Sequence, residues 1–417
     1  MEPTLEGAMA LARSATGPLS AHLPAFVTSL IDQRYAVVCV RAKAWRATSF
    51  DAWLHEQGIG LADLSEAHID QFSRRDYRPR SDCRAKPQRH EAPALSQLLR
   101  YLRAQGICAA APATMSPVAA LLVGFDQFLL RDRGLAASTI SDYRPIVREF
   151  LIDRFGSGPV DLGALRATDI IGFVQRRPRR ARPHALKHLV EALRAFLRWG
   201  QNRGEIDVAL ICAVPPAVAS WSTTPPLPRA ISADHARSVI DSCDPGTTVG
   251  QRDRAILLVL ARLGLRGGEV VTLLLDDVDW DAGSLRVRGK NGRECLMPLP
   301  VDVGEAIAAY LHSGRPPSTD RHLFLRTRAP IRGLSHGSDG VGSIVRNALC
   351  RAGIETLHKG AHQFRHALAV RMLKGGASLP EIGELLRHRS PISTSIYAKV
   401  DVTALRSLAL AWPGGAS

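Results

Sequence analysis

The chain has 417 residues, with 54 Lys plus Arg against 39 Asp plus Glu, a formal net charge of +15 and 46% hydrophobic residues. That length provides for two or three domains, each with its own core, and the basic excess, spread as +3 over 1–112, +6 over 113–230 and +6 over 231–417, suits a polyanionic partner such as nucleic acid. Seven cysteines without a C-x-x-C pair argue against a zinc site or a disulfide framework and fit a reducing cytoplasm; there is no signal-peptide order at the N-terminus and no apolar run long enough to span a bilayer.

Residues 1–112 read as helical. Apolar stripes run through Phe26, Leu30 and Ile31, then Trp45, Phe50, Trp53 and Leu54, then Ile69 and Phe72, and finally Leu95, Leu98, Leu99 and Leu102. Residues 117–206 repeat the plan with Phe125, Phe128 and Leu129, then Tyr143, Val147, Phe150 and Leu151, then Ile170, Ile171 and Phe173, then Leu189, Leu193, Phe196 and Leu197. "GIGLADLSEAHIDQFSRR" and "GPVDLGALRATDIIGFVQRR" match in order and roughly in spacing, which indicates two copies of one four-helix unit. In both copies a basic run sits between the third and fourth helix. It begins at Arg74 and Arg75 in the first and comprises Arg176, Arg177, Arg179, Arg180 and Arg182 in the second. A charge run is in most proteins a solvated loop. Its recurrence at one place in a duplicated unit gives equal weight to a role in gripping phosphates without reading sequence.

Proline density over 213–230 marks an extended linker. Beyond it, helices are expected over 231–242 and 253–263, interrupted by Gly264-Leu265-Arg266-Gly267-Gly268-Glu269. The alternation of 284–288, the Asn291-Gly292 turn signal and the return over 294–298 predict a hairpin with Lys290 at its tip. Further helices fall near 301–312 and 341–352, and Leu323-Phe324-Leu325 reads as a short strand. His362 and Arg365, three apart, share one helical face. Gly375-Gly376 ends that helix, and Ser378-Leu379-Pro380-Glu381 opens another with a capping box. His388 falls at its end, and Tyr397 follows a Ser/Thr-rich turn.

The constellation Arg266, Lys290, His362-x-x-Arg365, His388 and Tyr397 resembles that of the tyrosine recombinases, also called phage integrases. "LARLGLRGGEVVTLLLDDVDW" is similar to their first arginine box, and "HQFRHALAVRMLKGGASLPEIGELLRHRSPISTSIYAKV" to their second, up to the nucleophile. The resemblance covers 231–400 closely and extends to 117–206; residues 1–112 are placed mainly by the internal repeat. One departure is Arg387, where the family usually has Gly. Taken singly, a half-buried Tyr, a helical His or an Arg after a glycine turn is an ordinary structural residue. The six in this order are not ordinary, whereas the remaining histidines, His366 among them, read as structural.

The resemblance implies a mainly α fold with a small antiparallel sheet. It comprises an N-terminal helical DNA-binding domain (1–112), a SAM-like core-binding domain (117–212), the linker (213–230) and a mixed α+β catalytic domain with a C-terminal helix (231–417). It implies a site-specific recombinase of a mobile element that cuts and rejoins double-stranded DNA through a 3′-phosphotyrosine on Tyr397. Arg266 and Arg365 would clamp the phosphate, and Lys290 would protonate the leaving 5′-oxygen. His362 would take the tyrosine proton or bond to the phosphate, and His388 would donate to the phosphate. Glu269 would orient the first arginine region rather than react. Because the covalent link keeps the phosphodiester energy, neither ATP nor a metal cofactor is required. The family assembles as a homotetramer on two DNA sites, with or without related recombinases, in the cytoplasm and away from membranes. Two rivals are a type IB topoisomerase and a catalytically silent DNA-binding regulator. The apolar tail segment 401–413, with Leu405, Leu408, Leu410 and Trp412, is expected as a helix docked on a neighbouring protomer.

Overall fold

Thr4 accepts a hydrogen bond from the Gly7 amide, and helix α1 (Leu5–Arg13) starts behind it. The computed structural model describes residues 4–75, 91–108, 116–176, 183–215, 230–289, 294–335, 340–356, 359–388 and 390–400. After α1 come α2 (Leu23–Asp32), α3 (Val37–Glu56), a 3-10 turn at Leu61–Asp63, α4 (Glu66–Arg75) and α5 (Glu91–Ala104). Phe26, Phe50, Trp53, Phe72 and Leu102 are buried together between them. Asp51 is also buried there. Its carboxylate accepts from the Gly17 and Leu19 amides at 2.7 and 2.6 Å, which satisfies the charge and pins the connection into α2. Trp45 is not on the apolar stripe as expected but 56% exposed. Five residues before Phe50, it points about 140° away around the helix.

Residues Ala110–Pro225 form one compact unit, and Met1–Ala109 with Pro226–Ser417 the other. The first contains α6 (Pro117–Arg131), α7 (Ala137–Phe155), a 3-10 turn at Leu162–Ala164, α8 (Ala167–Gln175), α9 (Pro183–Asn202) and α10 (Val208–Cys212). The order helix, helix, 3-10 turn, helix, helix therefore recurs in α2–α5 and α6–α9. So does an edge-on aromatic pair: Phe50 against Phe72 at 5.1 Å, and Phe150 against Phe173 at 5.2 Å.

Within 226–417, α11 (Ala233–Asp241) leads to α12 (Thr248–Leu263), in which every residue from Ala255 to Leu260 is buried. Around it lie α13 (Gly267–Val271), α14 (Val301–Ala309) continued by a π turn at Tyr310–Gly314, α15 (Val341–Arg351) and α16 (His362–Lys374). Three strands, β1 (Val278–Asp279), β2 (Ser284–Arg288) and β3 (Glu294–Pro298), make one antiparallel sheet in that order, with Leu285 opposite Met297 and Val287 opposite Cys295. Alternation sends Leu285, Val287 and Met297 into the core and leaves Leu296 exposed. The expected strand at Leu323-Phe324-Leu325 is absent among the described residues. These residues are buried, but they make isolated backbone pairings rather than a ladder: Leu323 N donates to Leu273 O at 2.8 Å, Phe324 O accepts from Leu334 N at 3.3 Å, and Leu325 bridges Gly333 while its N donates to Tyr310 Oη at 3.1 Å and its O accepts from Arg252 Nη1 at 3.2 Å.

The chain closes with α17 (Leu379–Leu385), α18 (Pro391–Ser395) and a 3-10 turn at Ala398–Val400. The capping box at Ser378 and Glu381 is present, with Gly376 at φ +90° ending the preceding turn. The Ser/Thr-rich segment before Tyr397 is not a plain turn but α18, begun by Ser390 accepting from the Ile392 amide. The described residues are thus mainly helical with one small antiparallel sheet, and no helix among them is long and apolar enough to cross a membrane. Most of the linker and the whole tail from 401 lie outside the described residues.

Candidate active site

Gly264 ends α12 in the left-handed region, φ +60°, where an added Cβ would come within 2.9 Å of Leu368 and Leu386. The chain therefore turns tightly, and Arg266 becomes the N-cap of α13. Glu269 holds it there: its Oε2 accepts from the Arg266 amide at 2.8 Å, and its Oε1 pairs with Arg266 Nη1 at 2.7 Å. The same carboxylate accepts from Arg387 Nη2 at 2.8 Å. Burial alone would raise the Glu269 carboxyl, but the Arg266 amide and the two guanidiniums outweigh it and hold it below the usual range. Arg387 adopts φ +54°, a conformation that favours glycine.

Helix α16 brings His362, Arg365 and His366 to the same cleft, of about 650 Å³. Arg365 is 1% exposed. Its Nη1 donates to Gly264 O at 2.6 Å, and its Nη2 donates to Leu386 O. Burial, then the neighbouring Arg266 and Arg387, lower its pKa to about 10, so it stays cationic at neutral pH. Past α17, His388 Nδ1 meets Thr394 Oγ1 of α18 at 2.7 Å. Tyr397 is 1% exposed among Leu368, Ala369, Ile382 and Leu386. The His388 ring stacks on it with planes 6° apart and centroids 6.3 Å apart. Burial raises the Tyr397 phenol, against the pull of Arg365 and Arg266.

The cleft thus gathers Arg266, His362, Arg365, His388 and Tyr397. Lys290 lies outside the described residues, although Gly289 just before it lines the cleft. Arg177, Arg179 and Arg180 also lie outside the described residues, as does the Arg75 side chain. Arg74 is exposed on α4, and Arg176, exposed at the end of α8, pairs with Asp153 of α7.

One member of the cleft was read from sequence as merely structural. His366 Nδ1 lies 3.0 Å from Tyr397 Oη. The signal was present: His366 follows His362 by four residues, so one helical turn puts both on one face. Their rings meet edge-on at 4.6 Å.

His366 and His388 are both pushed down to about 4, by burial first and then by nearby cationic and imidazole groups. With folded pKa values below the unfolded value of about 6.5, the folded state binds fewer protons between those limits, and stability falls as pH drops through that window. The melting temperature should therefore fall more steeply from about pH 7 to about pH 5 in the wild type than in a His366→Asn/His388→Asn variant. Equal slopes would show that other groups carry the acid sensitivity.

Comparison with known proteins fits this geometry. The family described as phage integrase matches residues 229–403. The integrase/recombinase y4rA of Sinorhizobium fredii is 46% identical over 410 residues, covering 98% of each chain. The tyrosine recombinase XerD of Mycobacterium tuberculosis is 32% identical over 320 residues, 72% of this chain and 98% of that protein. Among solved structures, the XerH site-specific recombinase in a post-cleavage complex with its palindromic difH substrate has a TM-score of 0.51 at 17% identity, over 72% of this chain and 98% of that one. A lambda integrase dimer bound to a COC′ core site has a TM-score of 0.50 at 17% identity, over 67% of this chain and 94% of that one. At such identity the two structures speak for the fold alone.

Proposed function

The chain belongs to the phage integrase family of tyrosine recombinases, enzymes that cut and rejoin DNA at specific sites, and from that premise we propose that Tyr397 is its nucleophile. The observation that carries this reading is the convergence of Tyr397, Arg266, Arg365 and His388 on one cleft within 226–417. Tyr397 Oη attacks the scissile phosphorus, the P–O5′ bond breaks, and a 3′-phosphotyrosine and a free 5′-hydroxyl result. In-line displacement spreads negative charge over the non-bridging oxygens. Arg266 and the N–H groups of Arg365 not held by carbonyls meet that charge, and His388, steadied by Thr394, adds a neutral donor. Lys290 protonates the departing 5′-oxygen. The reverse step needs no energy source, because the ester retains the bond energy.

The substrate is double-stranded DNA; the XerH structure holds its palindromic difH substrate and the lambda integrase structure a COC′ core site. The helical segments 1–112 and 117–212 serve as DNA-binding domains, with Arg74, Arg75, Arg176, Arg177, Arg179 and Arg180 contacting phosphates. Assembly as a homotetramer on two sites follows the family pattern, and the recurrence of the helical plan ahead of residue 226 favours a mobile-element recombinase over a compact two-domain Xer-type enzyme. No observation favours a topoisomerase or a silent regulator.

The test uses a pool of duplexes with a randomised centre and a nick beside it, so that the short cleaved fragment diffuses away. The wild type should trap a subset of sequences as SDS-resistant adducts, and peptide mapping should place the nucleotide on Tyr397. Attachment at another residue, or no adduct from any sequence, defeats the proposal.

A further inference from the structure

We infer that His366, rather than His362, is the base that takes the proton from Tyr397 as it attacks, an inference that rests on Tyr397 being the nucleophile. The phenol is buried and must lose its proton as the Oη–P bond forms. Burial disfavours a free phenolate, so the proton needs an acceptor within hydrogen-bond reach. Among the described residues, the ring nitrogen that reaches Tyr397 Oη is His366 Nδ1, at 3.0 Å. The other two imidazoles are placed otherwise. His388 lies parallel to the tyrosine ring with centroids 6.3 Å apart, and its Nδ1 is engaged by Thr394. His362 stands edge-on to His366, one turn earlier on α16.

The charges around His366 favour its neutral, proton-accepting form. His362 and Arg365 face it from its own helix, His388 from the segment after α17, and Tyr397 from the segment after α18; Arg266 at the N-cap of α13, Glu269 of α13, Glu294 of β3 and Arg387 after α17 line the same cleft. Burial, His362 and Arg365 together hold its pKa down to about 4, so above that value its single ring proton leaves one nitrogen free to accept. In the forward step, Tyr397 Oη bonds to phosphorus, its proton passes to His366 Nδ1, the P–O5′ bond breaks, and the leaving oxygen takes a proton from the general acid, proposed as Lys290. In the reverse step, the 5′-hydroxyl returns its proton to that acid's conjugate base, and the His366 imidazolium reprotonates the phenol. Protons balance in both directions.

The experiment uses the full chain and a nicked duplex recovered by covalent capture, resynthesised with sulfur in place of the bridging 5′-oxygen. Sulfur leaves without protonation, so the remaining pH dependence reports on the nucleophile. Single-turnover cleavage by the wild type should be flat from about pH 5.5 to about pH 8, above the His366 pKa of about 4. His366→Asn keeps a hydrogen-bond acceptor near Nδ1 but no base. It should cleave about 100-fold more slowly near pH 6 and gain about tenfold per pH unit, because tyrosine must then ionise to solvent. His362→Asn should be slower without acquiring that slope. Free imidazole should restore part of the rate to His366→Ala, a readout that packing damage would not give. A flat profile for His366→Asn, a wild-type rate in that variant, or the tenfold slope already in the wild type would each overturn the inference. An adduct that survives Tyr397→Phe would overturn the nucleophile itself, a result distinguishable from these.

Discussion

Tyr397→Phe should abolish covalent capture of the nicked duplex while leaving a folded protein. The ring keeps its packing against Leu368, Ala369, Ile382 and Leu386, and only Oη with its bond to His366 is removed. A lost hydrogen bond of this kind costs about 1 kcal/mol, with up to about 2 more if the buried imidazole nitrogen finds no water. Against this small change in stability, the variant lacks the atom proposed to form the bond to phosphorus. The cleavage rate should fall by more than about 10⁴-fold, limited only by the background of the measurement. A normal yield of adduct from the Phe variant would remove Tyr397 from the mechanism. A variant that no longer melts cooperatively would instead show that the hydroxyl is needed to hold α16 and α18 together.

Arg365→Ala should lose both activity and stability. The Arg365 guanidinium bonds Gly264 O and Leu386 O, and these are the C-cap residues of α12 and α17. A single buried cation therefore satisfies carbonyls at two helix ends and complements both dipoles. Truncation orphans two buried acceptors, at about 1–3 kcal/mol each. A loss of about 2–6 kcal/mol in denaturant unfolding is expected, together with about two to three decades in single-turnover cleavage. Arg365→Lys keeps the charge but not the fork, so it should recover part of the stability and little of the rate. If Arg365→Ala unfolds at the wild-type denaturant concentration, the carbonyl bonds are incidental. If it cleaves at the wild-type rate, its place at the phosphate is wrong.

Much of the site was legible in one dimension because its parts are local. His362 and Arg365 are three apart on a helix, Ser378 and Glu381 form a capping box, and β2 and β3 announce themselves by alternation around Asn291-Gly292. What escaped depends on pairings across the chain. His366 looks like any helical histidine until Tyr397, 31 residues later, is folded against it. Leu323-Phe324-Leu325 has the composition of a strand, but its partners change residue by residue, from the Leu273 and Leu334 backbones to the side chains of Tyr310 and Arg252, so no ladder extends along it. β1 is two residues long and has no periodicity to detect. Trp45 reads as part of the apolar stripe of Phe50, Trp53 and Leu54, although its angle on α3 turns it to solvent. Arg387 was visible as a departure from the family's glycine. That its guanidinium would share Glu269 with Arg266 was not, because 118 residues separate the two partners.

The burial of Tyr397 bears on how faithfully broken strands are mended. A phosphotyrosine ester can be opened by a 5′-hydroxyl, which restores a continuous strand, or by water, which leaves a permanent break and a lost junction. The two compete for the same phosphorus, and water is by far the more abundant. At 1% exposure, with aliphatic side chains around its ring and the His388 ring parallel to it, Tyr397 leaves water little room on its own side of such a phosphorus. On the proposal that Tyr397 is the nucleophile, the packing that disfavours its ionisation would also keep water from that side of the ester. Slower attack would then be offset by fewer strands left broken.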